Sequence, residues 1–302
     1  MPNDRRNVVI LPYFCEEEVT RYLKIADKIS TFSPSHEPCE FLLAASPRTT
    51  ISQRLVDAYS ALGKTTAFQC PTQIFGYPEG PTAMFWDCMD FLSENYSTSS
   101  GFGLWLESDM APTQPDWLDR LASEWHEEPE KPIMMGCFVP NVYRKRLFKR
   151  PRLILDHHIN GGACYAMDFA RHMPASAREG CFDMIVYRHA HALGRAKRTR
   201  QIAFSTNQRV RRDLSDRSKV LVHGFQQDKD LFIDQCVTPL SELEKATVPL
   251  NPILDRWEAF KRTAKLRLTN GGTHRDTLDS VLLAQRRIER SDNRSARVQG
   301  AA

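Results

Sequence analysis

Several things are missing from this sequence, and each absence removes a class of protein. No run of about 18 apolar residues occurs anywhere in the 302 residues, so no membrane-spanning helix is expected. The opening MPNDRRNVVILPYF is charged and lacks the apolar core of about 7 to 15 residues and the cleavage site of a secretory signal, so a soluble, cytoplasmic protein with no membrane partner is expected. There is no C-x-x-C pair among the eight cysteines, which removes the common zinc and redox motifs. The cysteines stand singly among apolar neighbours and are expected to be buried, reduced thiols. Internal repeats and low-complexity tracts are also lacking. With 41% apolar and 26% charged residues, the chain has the makeup of a compact globular protein.

What is present is an alternation of short apolar runs and amphipathic segments. NVVILPYF (7–14), EFLLAAS (40–46), TTAFQCP (65–71) and FGLWL (102–106) have the pattern of buried strands. Between them, 16–30, 50–62 and 82–95 have helical spacing; Val19, Tyr22, Leu23, Ile25 and Ala26 share one face of the first. Such alternation predicts an α/β protein with a mostly parallel sheet and helices on both faces, FGLWL lying near its centre. In TQPD, Thr113 is expected to cap the next helix, with Pro115 in its first turn and Asp116 three residues after the cap. NPILDRWEAFKRTAKLRL (251–268) reads as a C-terminal helix, and the polar tail from about 284 as frayed, so a main domain over 1–250 and an extension over 251–302 are expected.

The central strand runs into Glu107 and Asp109, with one serine between them. Ligands of open α/β sheets bind at the carboxyl ends of the strands. Two carboxylates about 4 Å apart repel by roughly 4 kcal/mol at an effective dielectric near 20, so a positive partner is required. A divalent cation that also takes substrate phosphates meets that need.

LWLESDMAP resembles the metal-binding Asp-x-Asp strand end of GT-A glycosyltransferases, with Glu107 in the first acid's place. VLVHGFQQD puts His223 after an apolar strand, similar to the C-terminal histidine that completes the metal site in that fold. HHINGGACYAMDFARHM is similar to the family's acceptor-side turn, and GYPEGPTAMFWDCMDF to the turn and helix that position the donor nucleotide. The likeness covers roughly 7–235 and rests on the order of these parts. It implies a GT-A, Rossmann-like fold and transfer of a sugar from a nucleotide-diphosphate donor, a UDP-sugar first among them.

On these residues the likeness implies that Asp109 and His223 bind Mn²⁺ or Mg²⁺, with Glu107 bound directly, through water, or to the ribose. Pro12 and Tyr13 would lie near the base or ribose. Asn160, Gly161 and Gly162 would let backbone amides approach the sugar or acceptor; the plain alternative is a tight turn between strand and helix. Asp183 is the candidate base on the acceptor hydroxyl, although Phe182 stands where the family usually has a glutamate, and Asp156 competes with it. His157 and His158 are adjacent and would face opposite sides of a strand. His189 and His191 share a face only if their segment is a strand.

Charge bears on the acceptor. Residues 143–219 hold eighteen Lys or Arg against six Asp or Glu, a formal balance of +12 in a chain of net +4. Such a window suits a polyanionic partner, or else a basic face with internal partners. Phage-encoded transferases that add sugars to hydroxymethylated pyrimidines in DNA resemble this chain in size, basic character and the ESD strand end. A DNA acceptor in the cytoplasm of a phage's host is therefore expected, with polysaccharide or protein acceptors, or a non-catalytic nucleic-acid-binding protein on the same scaffold, as alternatives. A nucleotidyltransferase fits less well, because LPYFCEEE lacks a Gly-rich, Lys-containing turn after the first strand.

Overall fold

The computed structural model describes residues 5–32, 39–127, 131–147, 150–207, 209–224 and 228–239, with the backbone alone for 140–147 and 150–157. In chain order these form β1 (Asn7–Tyr13), α1 (Glu16–Ser30), β2 (Cys39–Ala45), α2 (Gln53–Ser60), β3 (Lys64–Gln69), α3 (Glu79–Asn95), β4 (Phe102–Trp105), β5 (Met110–Pro112) and α4 (Trp117–His126). There follow β6 (Met134–Leu147), β7 (Arg150–Ala166), α5 (Phe169–His172), α6 (Phe182–Ala192), β8 (Ala196–Arg198), β9 (Ile202–Ser205), α7 (Val210–Ser215), β10 (Leu221–Gly224) and α8 (Lys229–Val237). Among the described residues, the main body takes in those up to Val139 and from His158 to Pro239; the distal parts of β6 and β7, within Pro140–His157, belong to a separate unit. The helix expected over 251–268, the tail and the boundary at 250 lie outside the described residues.

Seven strands form one sheet in the order β3-β2-β1-β4-β7-β6-β8, so the strand that leads into Glu107 is the middle one. β3, β2, β1 and β4 are parallel. β7 then enters antiparallel to β4, with Leu104 opposite Cys164 and Phe102 opposite Ala166. β1 is buried along its whole length, as a strand covered on both faces must be, whereas β3 at the edge is half exposed. A second sheet, β5-β10-β9, stands next in the chain's path from the middle strand. Helices gather around the main sheet in two groups, α1 with α2 and α8, and α3 with α5 and α6. α1 follows the expected pattern: Val19, Tyr22, Ile25 and Ala26 are buried, and three glutamates fill its first turn, where the helix dipole favours acids.

Three local expectations are corrected, for Thr113, the glycine turn and four of the cysteines, and one open alternative is settled. Thr113 does not cap α4. Its N–H and hydroxyl donate to the carbonyls of Val220 and Lys219, prolonging the β5–β10 edge, and the helix begins at Trp117 behind Asp116. Asn160, Gly161 and Gly162 do not form a turn either, since β7 runs straight through them and only a four-residue helix follows, at Phe169–His172. His189 and His191 lie on α6 and so do not share a face. The eight cysteines are free, but only Cys70, Cys88, Cys164 and Cys236 are buried; Cys15 is exposed.

Candidate metal centre

The end of β4 is fixed before any site chemistry begins. Leu106 N–H donates to Ile10 O at 2.9 Å, and the Tyr22 hydroxyl on α1 bridges the carbonyls of Leu106 (2.7 Å) and Pro12 (3.0 Å), tying the ends of β4 and β1 together. Met110 N–H then donates to Glu107 O at 2.9 Å, closing a tight turn over residues 107–110. The turn sends Ser108 toward α1, where its hydroxyl accepts from Arg21 Nε at 3.3 Å and faces Glu18 at 3.4 Å. Arg21 is itself buried and paired with Asp230 of α8 at 2.9 Å. The serine is therefore an anchor between two acids that project elsewhere.

β10 supplies the third group. It pairs with β5 so that His223 lies opposite Met110, and Gly224 N–H donates to Asp109 O at 2.7 Å. His223 Nε2 ends 3.1 Å from Glu107 Oε2 and 3.5 Å from Asp109 Oδ1. One potential ligand atom from each of these residues lies within 4.8 Å of the others. Lys229, at the start of α8, places Nζ 2.8 Å from Asp109 Oδ2, and Asn160 Nδ2 lies 3.1 Å from His223 Nδ1.

The electrostatics match a site built for positive charge. Desolvation works to lower His223, but the carboxylates of Glu107 and Asp109 outweigh it and push the imidazole up to about 9. Burial alone would raise Asp109; His223 and Lys229 instead hold it well below the usual carboxylate range. Asp109 is only 3% exposed, and its Oδ1 is buried with no hydrogen-bond partner among the described residues. His223 Nε2 at 3.5 Å is too far to give this oxygen a full hydrogen bond, and a cation between the three side chains would satisfy it. The hard carboxylates and the imidazole suit Mn²⁺ or Mg²⁺, so the residues fit the implied metal.

The two glycines of β7 have their use here. A Cβ on Gly161 would lie 2.4 Å from Glu107 Oε1 and 2.9 Å from the Phe182 ring; one on Gly162 would lie 2.2 Å from Met110 Sδ and 2.9 Å from His223 Nδ1. Their bare backbone lets the strand press against the cluster, which a side chain at either position would displace.

A pocket of about 360 Å³ opens over Glu107 and Ser108. Pro12, Phe14 and Glu18 contribute to its lining from the end of β1 and from α1; Tyr77, Pro78 and Pro81 contribute from the start of α3. Tyr77 is 81% exposed. Asn160, Lys229, Phe182 and Asp183 complete the polar and aromatic wall. Asp183 sits in the first turn of α6, where Oδ1 accepts from Met184 N–H at 2.8 Å and from the Cys181 thiol at 3.0 Å. Burial and Asp183 itself push Cys181 up to about 11, so it keeps its proton and donates. His158 Nε2 lies 3.6 Å from Asp183 Oδ2.

Of the residues singled out in the sequence, Glu107, Asp109 and His223 meet in one cluster, and Gly161 and Gly162 back onto it. Pro12, Glu107 and Asp183 line one pocket. Tyr13 is fully buried, its hydroxyl accepting from Ser52 N–H at 3.1 Å, and takes no part in the lining. The side chains of Asp156 and His157 lie outside the described residues. Lys229, Glu18 and Phe14 were not anticipated; Tyr77 lies in the segment GYPEGPTAMFWDCMDF read as donor-positioning, and His158 was weighed only beside His157. Lys229 alone left a usable signal, a cation one short loop after His223 in a chain whose acid pair demands positive charge.

No family model matches the chain, and no curated protein matches it. Among solved structures the chain is similar to the glycosyltransferase GlyE of Streptococcus pneumoniae TIGR4, at 12% identity and TM-score 0.45, with 80% of this chain and 62% of that one covered, so it spans less than two thirds of GlyE's length. It is also similar to a glycosyltransferase involved in glycosylation of the major capsid of PBCV-1, at 11% identity and TM-score 0.45 over 77% of this chain and 98% of that one. The galactosyltransferase LgtC is a third, at 11% identity and TM-score 0.43, with 80% and 97% covered.

Proposed function

We propose that the chain is a metal-dependent glycosyltransferase of the GT-A type, moving a sugar from a nucleotide-diphosphate donor, UDP-sugar first, to an acceptor hydroxyl. The observation that carries this reading is the convergence of Glu107, Asp109 and His223 around a buried, unsatisfied carboxylate oxygen beside a pocket. When bound, a divalent cation supplies positive charge against the departing diphosphate. Asp109, His223 and Glu107 would hold it, and the Asn160 amide would orient the imidazole through its other nitrogen. Lys229 brings a second positive charge to the same wall.

The residues around the pocket divide the work. Phe14 and Pro12 offer an apolar surface to the nucleoside, and the Glu18 carboxylate is an acceptor for ribose hydroxyls. Asp183 takes the proton of the acceptor hydroxyl as its oxygen bonds to the sugar's anomeric carbon; the bond from that carbon to the diphosphate breaks, and its electron pair leaves with the phosphate.

For the acceptor, the +12 window supports hydroxymethylated pyrimidine in DNA. Part of this charge has internal partners: Arg178 pairs with Asp90 at 2.7 Å, and Lys197 donates to Glu124 O at 2.7 Å. Arg198, Arg200 and Arg217 are exposed. A hydroxymethyl group on the pyrimidine 5 position faces the major groove, where such cations can follow the phosphates.

The test is nucleotide release from a panel of nucleotide sugars, with and without Mn²⁺, on hydroxymethylated DNA. Release that needs both Mn²⁺ and a UDP-sugar is expected, and on DNA it should fall steeply with salt. Salt-independent turnover on a non-nucleic acceptor removes the DNA reading; absence of Mn²⁺ and UDP binding removes the enzyme.

A further inference from the structure

The candidate base is held on both of its oxygens, and the second hold comes from a histidine that the catalytic scheme does not use. Asp183 Oδ1 is occupied by Met184 N–H and by the Cys181 thiol, both contacts from α6 or the residue before it. These fix one oxygen but leave the carboxylate free to swing about it. Oδ2 faces Nε2 of His158, 25 residues upstream in the chain, whose side chain is 8% exposed and stands on the interior strand β7.

We propose that His158 is the positioning residue of Asp183, fixing the plane of its carboxylate so that Oδ2 meets the acceptor hydroxyl in the pocket. This rests on the reading of Asp183 as the base. The separation is 3.6 Å, beyond a full hydrogen bond, so the ring limits the swing of the oxygen by contact and leaves available the lone pair that must receive the proton. A contact at 2.8 Å would orient Asp183 equally well and make it a poorer base. An orientation error of about 1 Å in a catalytic group costs about 100-fold.

The experiment uses the full chain with Mn²⁺ and whichever of UDP-glucose, UDP-galactose and UDP-N-acetylglucosamine the wild type cleaves, water serving as acceptor. Asp183→Asn sets the floor. In His158→Leu, kcat should fall about 10- to 100-fold, with KM for the donor and Mn²⁺-dependent UDP binding unchanged. His158→Gln, whose Nε2 takes the place of the imidazole Nε2, should restore most of kcat. Combining His158→Leu with Asp183→Asn should cost no more than Asp183→Asn alone. A folded His158→Leu with wild-type kcat overturns the proposal, and so do losses that multiply in the double variant. Should His158→Leu fail to fold, His158→Gln against His158→Asn decides, because the shorter amide falls short of Asp183; equal kcat in the two overturns it. A wild type that binds UDP and Mn²⁺ while these outcomes fail leaves the transferase standing and removes His158 alone. A wild type that binds neither removes both.

Discussion

His223 Nε2 lies 3.1 Å from Glu107 Oε2, and His172 Nε2 lies 3.2 Å from Asp168 Oδ2, so by distance the two pairs are alike. Their surroundings differ. His172 and Asp168 are 30% and 39% exposed and one helical turn apart, an arrangement that any short helix produces and that water screens. His223 is 3% exposed and reaches Glu107 only because β10 pairs with β5 and the 107–110 turn folds both acids toward it. The first pair is a by-product of local geometry. The second needs a buried imidazole, two carboxylates and an ammonium to be compensated together, and the fold has spent a serine, an arginine and two glycines on holding them.

The largest effect that separates the two regions is expected at Asp109. Asp109→Ala should lower Mn²⁺-dependent nucleotide release by at least about 100-fold, and wild-type release in this variant would erase the distinction. Next comes Gly162→Ala, whose added carbon would displace Met110 and His223. Mn²⁺ affinity, read by titration calorimetry, should fall about tenfold, whereas an alanine tolerated without loss would show that strand and cluster are not in register. Glu40 tests the middle ground. Burial would raise its pKa, but the Tyr96 hydroxyl at 2.6 Å and Lys64 at 2.9 Å outweigh burial and lower it. Because the folded value lies below the unfolded one, its stabilisation is complete above the ordinary carboxylate range and is lost as pH falls through the folded value. Denaturant midpoints should therefore drop on acidification below roughly pH 4.5, and Glu40→Gln should flatten that drop. Least affected is the surface pair: His172→Ala should change stability by no more than about 0.5 kcal/mol and leave nucleotide release unaltered.

The parts of this architecture that follow local rules were legible in the sequence. Apolar runs marked β1, β2 and β4, the repulsion of two carboxylates called for a cation at Glu107 and Asp109, and the resemblance of VLVHGFQQD to the histidine of a GT-A metal site pointed to His223. Other parts depended on partners far along the chain. Gly161 and Gly162 read as a turn because glycine usually punctuates, yet here they answer to Met110, Glu107 and His223, which no local pattern records. Thr113 had a capping neighbourhood, but the competing carbonyls of Val220 and Lys219 lie more than a hundred residues away. Tyr13 and Pro12 alternate across one strand, so they could not both face a ligand there, a consequence of the period of two that the strand itself announces. His158 and Asp183 became a pair only once β7 was known to be a long strand passing the start of α6.

The ladder between Met110 and His223 also makes the cation a reporter of the chain's completeness. A product stalled before residue 220 holds both acids and lacks His223. On the proposed reading, Mn²⁺ should bind only when β10 has docked, and added metal should raise the melting temperature of the whole chain while leaving such a fragment indifferent.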